Sequence, residues 1–573
     1  MRYDLNIFQK GGGRFHEVSC CSQRCVSSDC RMKRSRVTWM TRYVLLVVLL
    51  YALAIGMFLI PSCRSGQKST ISQRDSYLRM ITAGVREKTY QEDELEPSHY
   101  IPALPEIEAE YASWSVEAET VKIPKGVEIL RDRPGYSGIG YLGKLPEHTK
   151  SALTIPIHVP YTQHYSLTIC LGSDYGGNGA VRINDALVSP FSLEAGKTFT
   201  RVTFYGLFLE KGKTTVALDT EYGHLECDYI ELSSDTSLDD TRFDIPETPC
   251  DADASDAAKK LYEFLRDHWG ERMLTGQYVS DSANRELGII YSLTGQLPVI
   301  RFSELGTDRD PAQIESAIDW NVYLNGVVGL MWQWKAPGSD SVYTNDTEFD
   351  LEAALFNVDP SRLAGMSQDE IQTAIRKLDL PKGSLELVKD IDSIAESLRK
   401  FADMDIPVLW RPLHEAGGEW YWWGSAGPTY YVRLWELLYQ RLTSYHQLHN
   451  LIWIWNAQSS EYCVPDDTYD IASVDIYLKP EHSYGSRYEQ FVSLARITDG
   501  QKMLALSECS APPDLKMLSI DRSVWSFYGL WYGEYIMNPD GSFSDRYYSS
   551  NDLYNLYNSD LAFNLNDFLS LCQ

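Results

Sequence analysis

The sequence predicts an α/β protein in which an all-β sandwich precedes a (β/α)8 barrel. Two textures along the chain predict this. Residues 106–233 hold short alternating runs, such as ALTIPIHV at 152–159, YSLTICL at 165–171 and TTVAL at 214–218. Turn clusters such as GGNG at 176–179 separate them, and strands at this spacing argue for an antiparallel sandwich. Residues 256–573 instead alternate strand-like apolar runs with helical periodicity, as a barrel requires. The length, 573 residues, exceeds one ordinary domain. With 44% hydrophobic and 23% charged residues, the composition is globular rather than disordered.

The N-terminal segment, residues 1–62, contains an uncharged, mostly apolar run at 43–60 (YVLLVVLLYALAIGMFLI) preceded by Lys33, Arg34, Arg36 and Arg42. At ~1.5 Å rise per residue this run can just span a bilayer. Its position and flanking charges fit a signal peptide or an anchor better than a core helix. The run ends Leu59-Ile60-Pro61-Ser62-Cys63, which resembles a bacterial lipoprotein signal apart from Pro61. We expect export and lipid attachment at Cys63, giving a cell-surface or outer-membrane lipoprotein. A single-pass anchor and simple secretion are the alternatives. The basic flank begins naturally at Met32 or Met40, so translation is expected to start there. Cys20, Cys21, Cys25 and Cys30 have a zinc-like spacing but precede that start, and no metal is assigned to them. The later cysteines, Cys170, Cys227, Cys250, Cys463, Cys509 and Cys572, are scattered, and no disulfide pairing follows from them. Residues 63–105 read as a linker with room for one short helix, and 234–255 as a second linker rich in Asp, Ser, Thr and Pro.

The charge balance is 52 Lys and Arg against 79 Asp and Glu, a net −27. Such a surface repels phosphate backbones and excludes a nucleic-acid role; it suits a neutral substrate. We expect a monomer.

Eight strands are expected in the barrel, at 273–277, 297–302, 327–334, 406–414, 451–456, 471–477, 502–508 and 525–531, with helices between them such as 391–404 and 430–446. Catalytic groups in such a TIM barrel sit at the C-terminal ends of strands. The fourth run ends Trp410-Arg411-Pro412-Leu413-His414-Glu415, and the seventh ends Leu506-Ser507-Glu508-Cys509. Each places a Glu directly after a buried-type strand, where a carboxylate is costly without a partner or a task. One alternative is a salt-bridge role in the barrel core. The other is a pair of carboxyls ~5–5.5 Å apart, as a retaining glycosidase requires. The tryptophans favour the second. Of the chain's 15 Trp, most lie in the barrel region, and Trp332, Trp334, Trp420, Trp422, Trp423 and Trp531 fall at or just after strand ends. Sugar rings present C–H faces that pack on aromatic faces.

The stretch IPVLWRPLHEAGGEWYWWG, with NLIWIWN and LALSEC downstream, resembles glycoside hydrolase family 26 from about residue 272 to 531. The resemblance implies a retaining (β/α)8 enzyme, usually an endo-β-1,4-mannanase acting on mannan, glucomannan or galactomannan without a catalytic cofactor. It implies Glu415 as acid/base and Glu508 as nucleophile. It implies His414 and Tyr477 beside the nucleophile, Trp420 and Trp531 flanking the sugar, and Arg411 on the barrel floor. Trp334 is expected among the substrate-contacting side chains. Gln333 stands where many members carry His, and Ser510 where a Gly commonly follows the Glu-Cys pair.

In the sandwich, EIEAE at 106–110, GYSGIGY at 135–141 and CDYIEL at 227–232 resemble carbohydrate-binding module family 35 and its relative family 6. That resemblance implies a structural Ca2+ held by Glu108, Glu110 and Asp228, oxygen donors suited to the ion. Solvated strand positions are the alternative for the EAE residues. Tyr136 and Tyr141 are candidate sugar contacts. Two other functions stay open: a β-glycanase acting on mixed-linkage glucan or xylan, and a non-catalytic glycan-binding lipoprotein. Both glutamates being present argues against the latter.

Overall fold

The computed structural model describes residues 71–82, 107–108, 110–237, 243–306, 311–480 and 485–571. The apolar run at 43–60, Cys63, the early cysteine cluster and the expected start sites lie outside them. Among the described residues, no helix is long and apolar enough to cross a membrane.

The expected sandwich is present. One sheet orders Glu128–Leu130, Tyr141–Gly143, Glu226–Ser234, Gln163–Gly172 and Thr200–Leu209, with Ser113–Glu117 also paired to Glu226–Ser234. The facing sheet orders Thr149–Val159, Gly212–Tyr222, Gly177–Ile183 and Ala186–Leu193. All pairings are antiparallel. The period-two pattern carries through: Leu153, Ile155, Ile157 and Val159 point inward, while Thr154, Pro156 and His158 face solvent. With Leu167, Ile169, Val216, Leu218, Ile230 and Leu232 they form a core of their own.

The second body is a closed eight-stranded parallel barrel. Its strands are Gly276–Tyr278, Ile300–Gly306, Val327–Gln333, Val408–Arg411, Leu451–Trp455, Ile471–Ile476, Met503–Cys509 and Tyr528–Leu530. All eight expected runs contribute. Two differ in an instructive way. The first splits, because Met273–Leu274 pairs with Ala562–Phe563 outside the barrel and only Gly276–Tyr278 enters it. The fourth stops at Arg411, so residues 412–415 form a turn instead of more strand.

The segment expected to be a linker before the sandwich contains helix Ile71–Thr82, which packs on the barrel wall. Its Tyr77 and Ile81 are buried there, and Tyr77 lies 5.5 Å from Tyr323. The second linker is also laid against the barrel from residue 243. The Asp244 amide donates to Gly500, the Cys250 amide donates to Asp470 at 2.7 Å, and Asp251 meets His449 at 2.8 Å.

The sandwich is seated directly on the barrel. His164 stacks on Tyr488 at 5.3 Å and 11°, and its Nε2 meets Asp521 at 2.5 Å. Arg496 lies 5.3 Å over the Tyr205 ring and donates to Ser237 at 2.7 Å. Gly206 makes the contact possible: its φ is +66°, and a Cβ there would fall 1.7 Å from the Tyr488 ring.

Candidate active site

The C-terminal mouth of the barrel gathers the expected carboxylates. Strand Val408–Arg411 is buried throughout and delivers Arg411 into the barrel. Its guanidinium donates to Asp475 at 2.9 Å, to the Tyr278 hydroxyl at 3.0 Å and to Glu508. Burial opposes the Arg411 charge, but Asp475, Tyr278 and Glu508 more than reverse this and hold its pKa well above the usual value. This is a buried cation paired on several sides, as such a charge requires.

Beyond Arg411 the chain turns sharply. Leu413 and Glu415 both adopt left-handed backbone conformations, at φ 51° and 53°. For non-glycine residues that costs about 1–2 kcal/mol each. Asn456 offsets the strain at Glu415, accepting from its amide through the backbone oxygen at 2.6 Å and the side-chain oxygen at 3.1 Å. The same Asn456 donates to Ser473 at 3.0 Å, Asp475 at 3.1 Å and Ser507 at 2.9 Å. The turn that aims Glu415 is thereby tied to the strands that carry Asp475 and Glu508.

Glu508 comes from strand Met503–Cys509, every residue of which is buried. The register slips between Val474 and Asp475, leaving Ser507 as an extra residue opposite that strand. A bulge re-aims side chains. Here Ser507 and Glu508, consecutive in sequence, both reach the polar mouth: Ser507 donates to Asp475 at 3.0 Å, and Glu508 accepts from Arg411 and from Tyr477.

The two glutamates have different surroundings. Glu415 accepts from Trp420 Nε1 at 3.2 Å and from Gln458 Nε2 at 3.0 Å. Burial first, and then the charge of Glu508, raises the Glu415 pKa above the ordinary carboxylate value. Asp475 is raised well above its ordinary value by burial, against the pull of Arg411.

The other expected residues divide. Trp420 and Tyr477 are exposed at the mouth, and Trp531 packs 4.6 Å from Tyr278 and 6.3 Å from Tyr477. His414 is buried against Tyr421 at 4.8 Å and Trp423 at 5.4 Å. Burial, with Arg411 nearby, holds its pKa well below the usual value and keeps the imidazole neutral. Trp334 is a correction. It is fully buried, stacks on Trp332 at 4.1 Å and donates to Asp390 at 2.9 Å. Strand alternation points Trp332 and Trp334 out toward the helices and Gln333 into the mouth. Gln333 donates there to Glu304 at 2.9 Å. Glu304 escaped the sequence reading because its partners, Gln333 and Tyr532, come from distant segments; a carboxylate inside an apolar strand was the available signal.

The metal ligands expected in the sandwich are also corrected. Glu108 pairs with Lys211 at 3.3 Å, and its amide donates to Thr162. The Glu110 carbonyl accepts from Gln163. Asp228 falls in a bulge facing the far end of strand Gln163–Gly172, between the pairs Cys227–Leu171 and Ile230–Ile169, whereas Glu108 and Glu110 meet Thr162 and Gln163 at the strand's start. The acidic pair near Asp228 is instead Glu117 and Glu119. Asp228 accepts from the Ser137 amide at 3.0 Å, Glu117 from the Ser137 hydroxyl at 2.6 Å, and Glu119 from the Ile139 amide at 2.9 Å. Among the described residues no three acidic, His or Cys side chains form a ready-made metal cage. Yet Glu119 Oε2 is buried without a hydrogen-bond partner, and burial, then Glu117, raises Asp228. An oxygen-seeking cation fits that donor set. Of the candidate sugar contacts, Tyr141 is buried and donates to Asp132 at 2.7 Å, while Tyr136 remains partly exposed.

Comparisons with known proteins agree with this architecture. Residues 115–234 match the profile of carbohydrate binding module family 35, a span that begins after Glu108 and Glu110 and includes Glu117, Glu119 and Asp228. A Thermothelomyces thermophilus protein named mannan endo-1,4-beta-mannosidase is 29% identical over 484 residues, covering 81% of this chain and 92% of that protein. A Piromyces protein named mannan endo-1,4-beta-mannosidase A is 28% identical over 474 residues, covering 79% and 72%. The crystal structure of the Podospora anserina GH26-CBM35 beta-(1,4)-mannanase is similar with a TM-score of 0.52 at 28% identity, covering 80% of this chain and 98% of that one. Residues 250–554, more than half of the chain, match the profile of glycosyl hydrolase family 26, and the chain belongs to that family.

Proposed function

We propose that the protein is a retaining endo-β-1,4-mannanase, with Glu508 as nucleophile and Glu415 as acid/base. One observation carries the assignment of roles: Glu508 is gripped at the mouth by Arg411 and Tyr477, while Glu415 meets only Trp420 and Gln458 there and is pushed toward its protonated form by burial and then by Glu508. Glu508, oriented by Arg411 and Tyr477, attacks the anomeric carbon while Glu415 gives its proton to the leaving oxygen. Glu415 then takes a proton from water, which attacks C1 and releases Glu508. No cofactor enters these steps. Trp420 and Trp531 flank the sugar ring, and neutral His414 packs beneath the site. The names of the relatives support β-mannan as substrate.

The test is hydrolysis of mannan, lichenan and xylan by the wild type and by Glu508→Ala. Mannan is expected to be cleaved internally with retained configuration, and Glu508→Ala is expected to bind polymer without turnover. Unchanged hydrolysis by Glu508→Ala removes the nucleophile assignment. Preference for lichenan or xylan replaces the substrate.

The sandwich is proposed to hold the enzyme on polysaccharide and to bind Ca2+ through Glu117, Glu119 and Asp228. The ion would screen their mutual repulsion. Chelation is then expected to lower thermal stability in the wild type but not in Asp228→Asn. The N-terminus is proposed to carry lipid on Cys63, so that Cys63→Ser releases the protein from membranes. The protein is proposed to act as a monomer.

A further inference from the structure

We propose that Gln458 is a positioning residue for Glu415, holding its carboxylate for the second half of the reaction, in which water is activated. The inference rests on the glycosidase reading above and deepens it at the acid/base.

Gln458 follows strand Leu451–Trp455 and is exposed. The backbone on which it stands is nevertheless fixed, because the segment 456–462 is laced to the turn that carries Glu415. Asn456 accepts from the Glu415 amide, and the Ala457 carbonyl accepts from the Gly417 amide at 2.8 Å. The Tyr462 hydroxyl meets the Glu419 carboxylate at 3.1 Å and the Gly424 carbonyl at 3.0 Å. Gly417 lets the two segments approach: a Cβ there would lie 2.5 Å from Ser459 Cβ and 2.7 Å from the Ala457 oxygen. Within this lacing Gln458 has a left-handed backbone, φ 63°. A glycine would adopt that conformation freely, and a glutamine adopts it at a cost. The strain is kept at a position whose Nε2 donates to Glu415 Oε1 at 3.0 Å.

Trp420 Nε1 donates to the other oxygen, Oε2, at 3.2 Å, so the two donors together set the plane of the carboxyl. Both donors favour the ionised form, yet the first step needs Glu415 protonated. Burial and the Glu508 charge supply that push, against the pull of Arg411. Asp475 and Tyr421, the other titratable groups that face Glu415, take no part in bond making. Once a Glu508 oxygen has bonded to the anomeric carbon, Glu508 no longer carries its charge, and one of the two pushes is gone. Gln458 and Trp420 then hold Glu415 as the carboxylate. It takes a proton from water as the water oxygen bonds to C1, and the breaking C1–O bond returns its electron pair to Glu508. The amide of Gln458 therefore matters most after the glycosyl-enzyme has formed.

The experiment compares wild type, Gln458→Gly, Gln458→Glu and Glu415→Ala across pH, with thermal melting of each. The substrates are the polysaccharide that the wild type cleaves best and the dinitrophenyl glycoside of its disaccharide, whose phenolate leaves without needing a proton. On the aryl glycoside the burst of phenolate reports the first step and the steady rate reports the second. Gln458→Gly removes the side chain and relieves the backbone, so its melting temperature should hold. Its steady rate is expected to fall roughly 3–10-fold while the burst stays within twofold of wild type. On the polymer its alkaline limb should move to higher pH, because a donor to the carboxylate has gone. Gln458→Glu, of equal length but with no donor and an added charge, should move the limb further. The proposal is overturned by an unmoved limb with a steady rate within twofold of wild type. It is equally overturned when burst and steady rate fall together with the melting temperature. A Glu415→Ala variant that keeps the wild-type alkaline limb removes the acid/base reading itself, and this proposal with it.

Discussion

The Tyr477 phenol donates to one oxygen of Glu508 at 2.5 Å, while Arg411 holds the other oxygen. The proposed nucleophile is thus clamped from both sides before substrate arrives. Tyr477→Phe keeps the ring and removes one clamp. A hydrogen bond to a charged group is worth about 1.5–3 kcal/mol, so kcat should fall roughly 10–100-fold. The ring is exposed but its hydroxyl meets buried Glu508, so any drop in melting should stay within the worth of that one bond. Steady-state kinetics with kcat within twofold of wild type would remove the clamp from the mechanism.

Glu415 sets the alkaline side of the pH profile. Its pKa is raised by burial and then by Glu508, and a general acid works only when protonated. Activity should therefore fall as pH rises through that raised value. Trp420 lowers the value through its hydrogen bond, so Trp420→Phe should move the alkaline limb upward. An unmoved limb counts against Glu415 as the acid.

The same shift has a sign in stability. A carboxyl raised on folding contributes stability below its unfolded pKa and loses it as pH rises through the folded value. Glu415→Gln should therefore melt higher than wild type at about pH 7, with the advantage vanishing near pH 4. Equal melting curves at both pH values would show that Glu415 ionises as freely in the fold as outside it.

Arg411 pairs with both Asp475 and Glu508, and all three are buried. Breaking such a group by removing one partner costs about 3–5 kcal/mol. Arg411→Met should show that loss in denaturant melts along with lost activity. Adding Asp475→Asn should restore part of the stability and none of the activity. No stability gain in the double variant would mean the uncompensated Asp475 charge is not the source of the loss.

Gly206→Val tests the seat of the sandwich. The Tyr488 ring occupies the space a Cβ would need, and φ is +66°. Calorimetry should separate the melting of the two bodies, while kcat on soluble oligosaccharide stays at the wild-type value. One cooperative transition at the wild-type temperature would show the seat to be pliable.

What could be read from the sequence follows from how local each cause is. Glu415 and Glu508 stand at strand ends set by apolar runs, so their meeting at one mouth followed from topology. The eight strands were legible for the same reason. Trp334 was misread because cleft and helix layer both favour tryptophan, and only strand parity separates them; Gln333, one residue earlier, faces the mouth. The sequence points to Glu108 and Glu110 rather than to Glu117 and Glu119, the acidic pair that the fold brings near Asp228, because two acidic pairs of the same spacing lie nine residues apart. Only the pairing of Ser113–Glu117 with Glu226–Ser234 chooses between them. A short helix was expected in the segment that holds Ile71–Thr82, but its packing on the barrel was not legible because its burial rests on few residues, Tyr77 and Ile81 among them.

The seat beneath the sandwich bears on a helix and on the helix that follows it, Tyr488–Ile497 and Leu515–Asp521, which lie before and after strand Met503–Cys509 in the chain. His164 meets Tyr488 on one and Asp521 on the other. A load placed on the sandwich is therefore passed through His164 to both supports of the strand that carries Glu508.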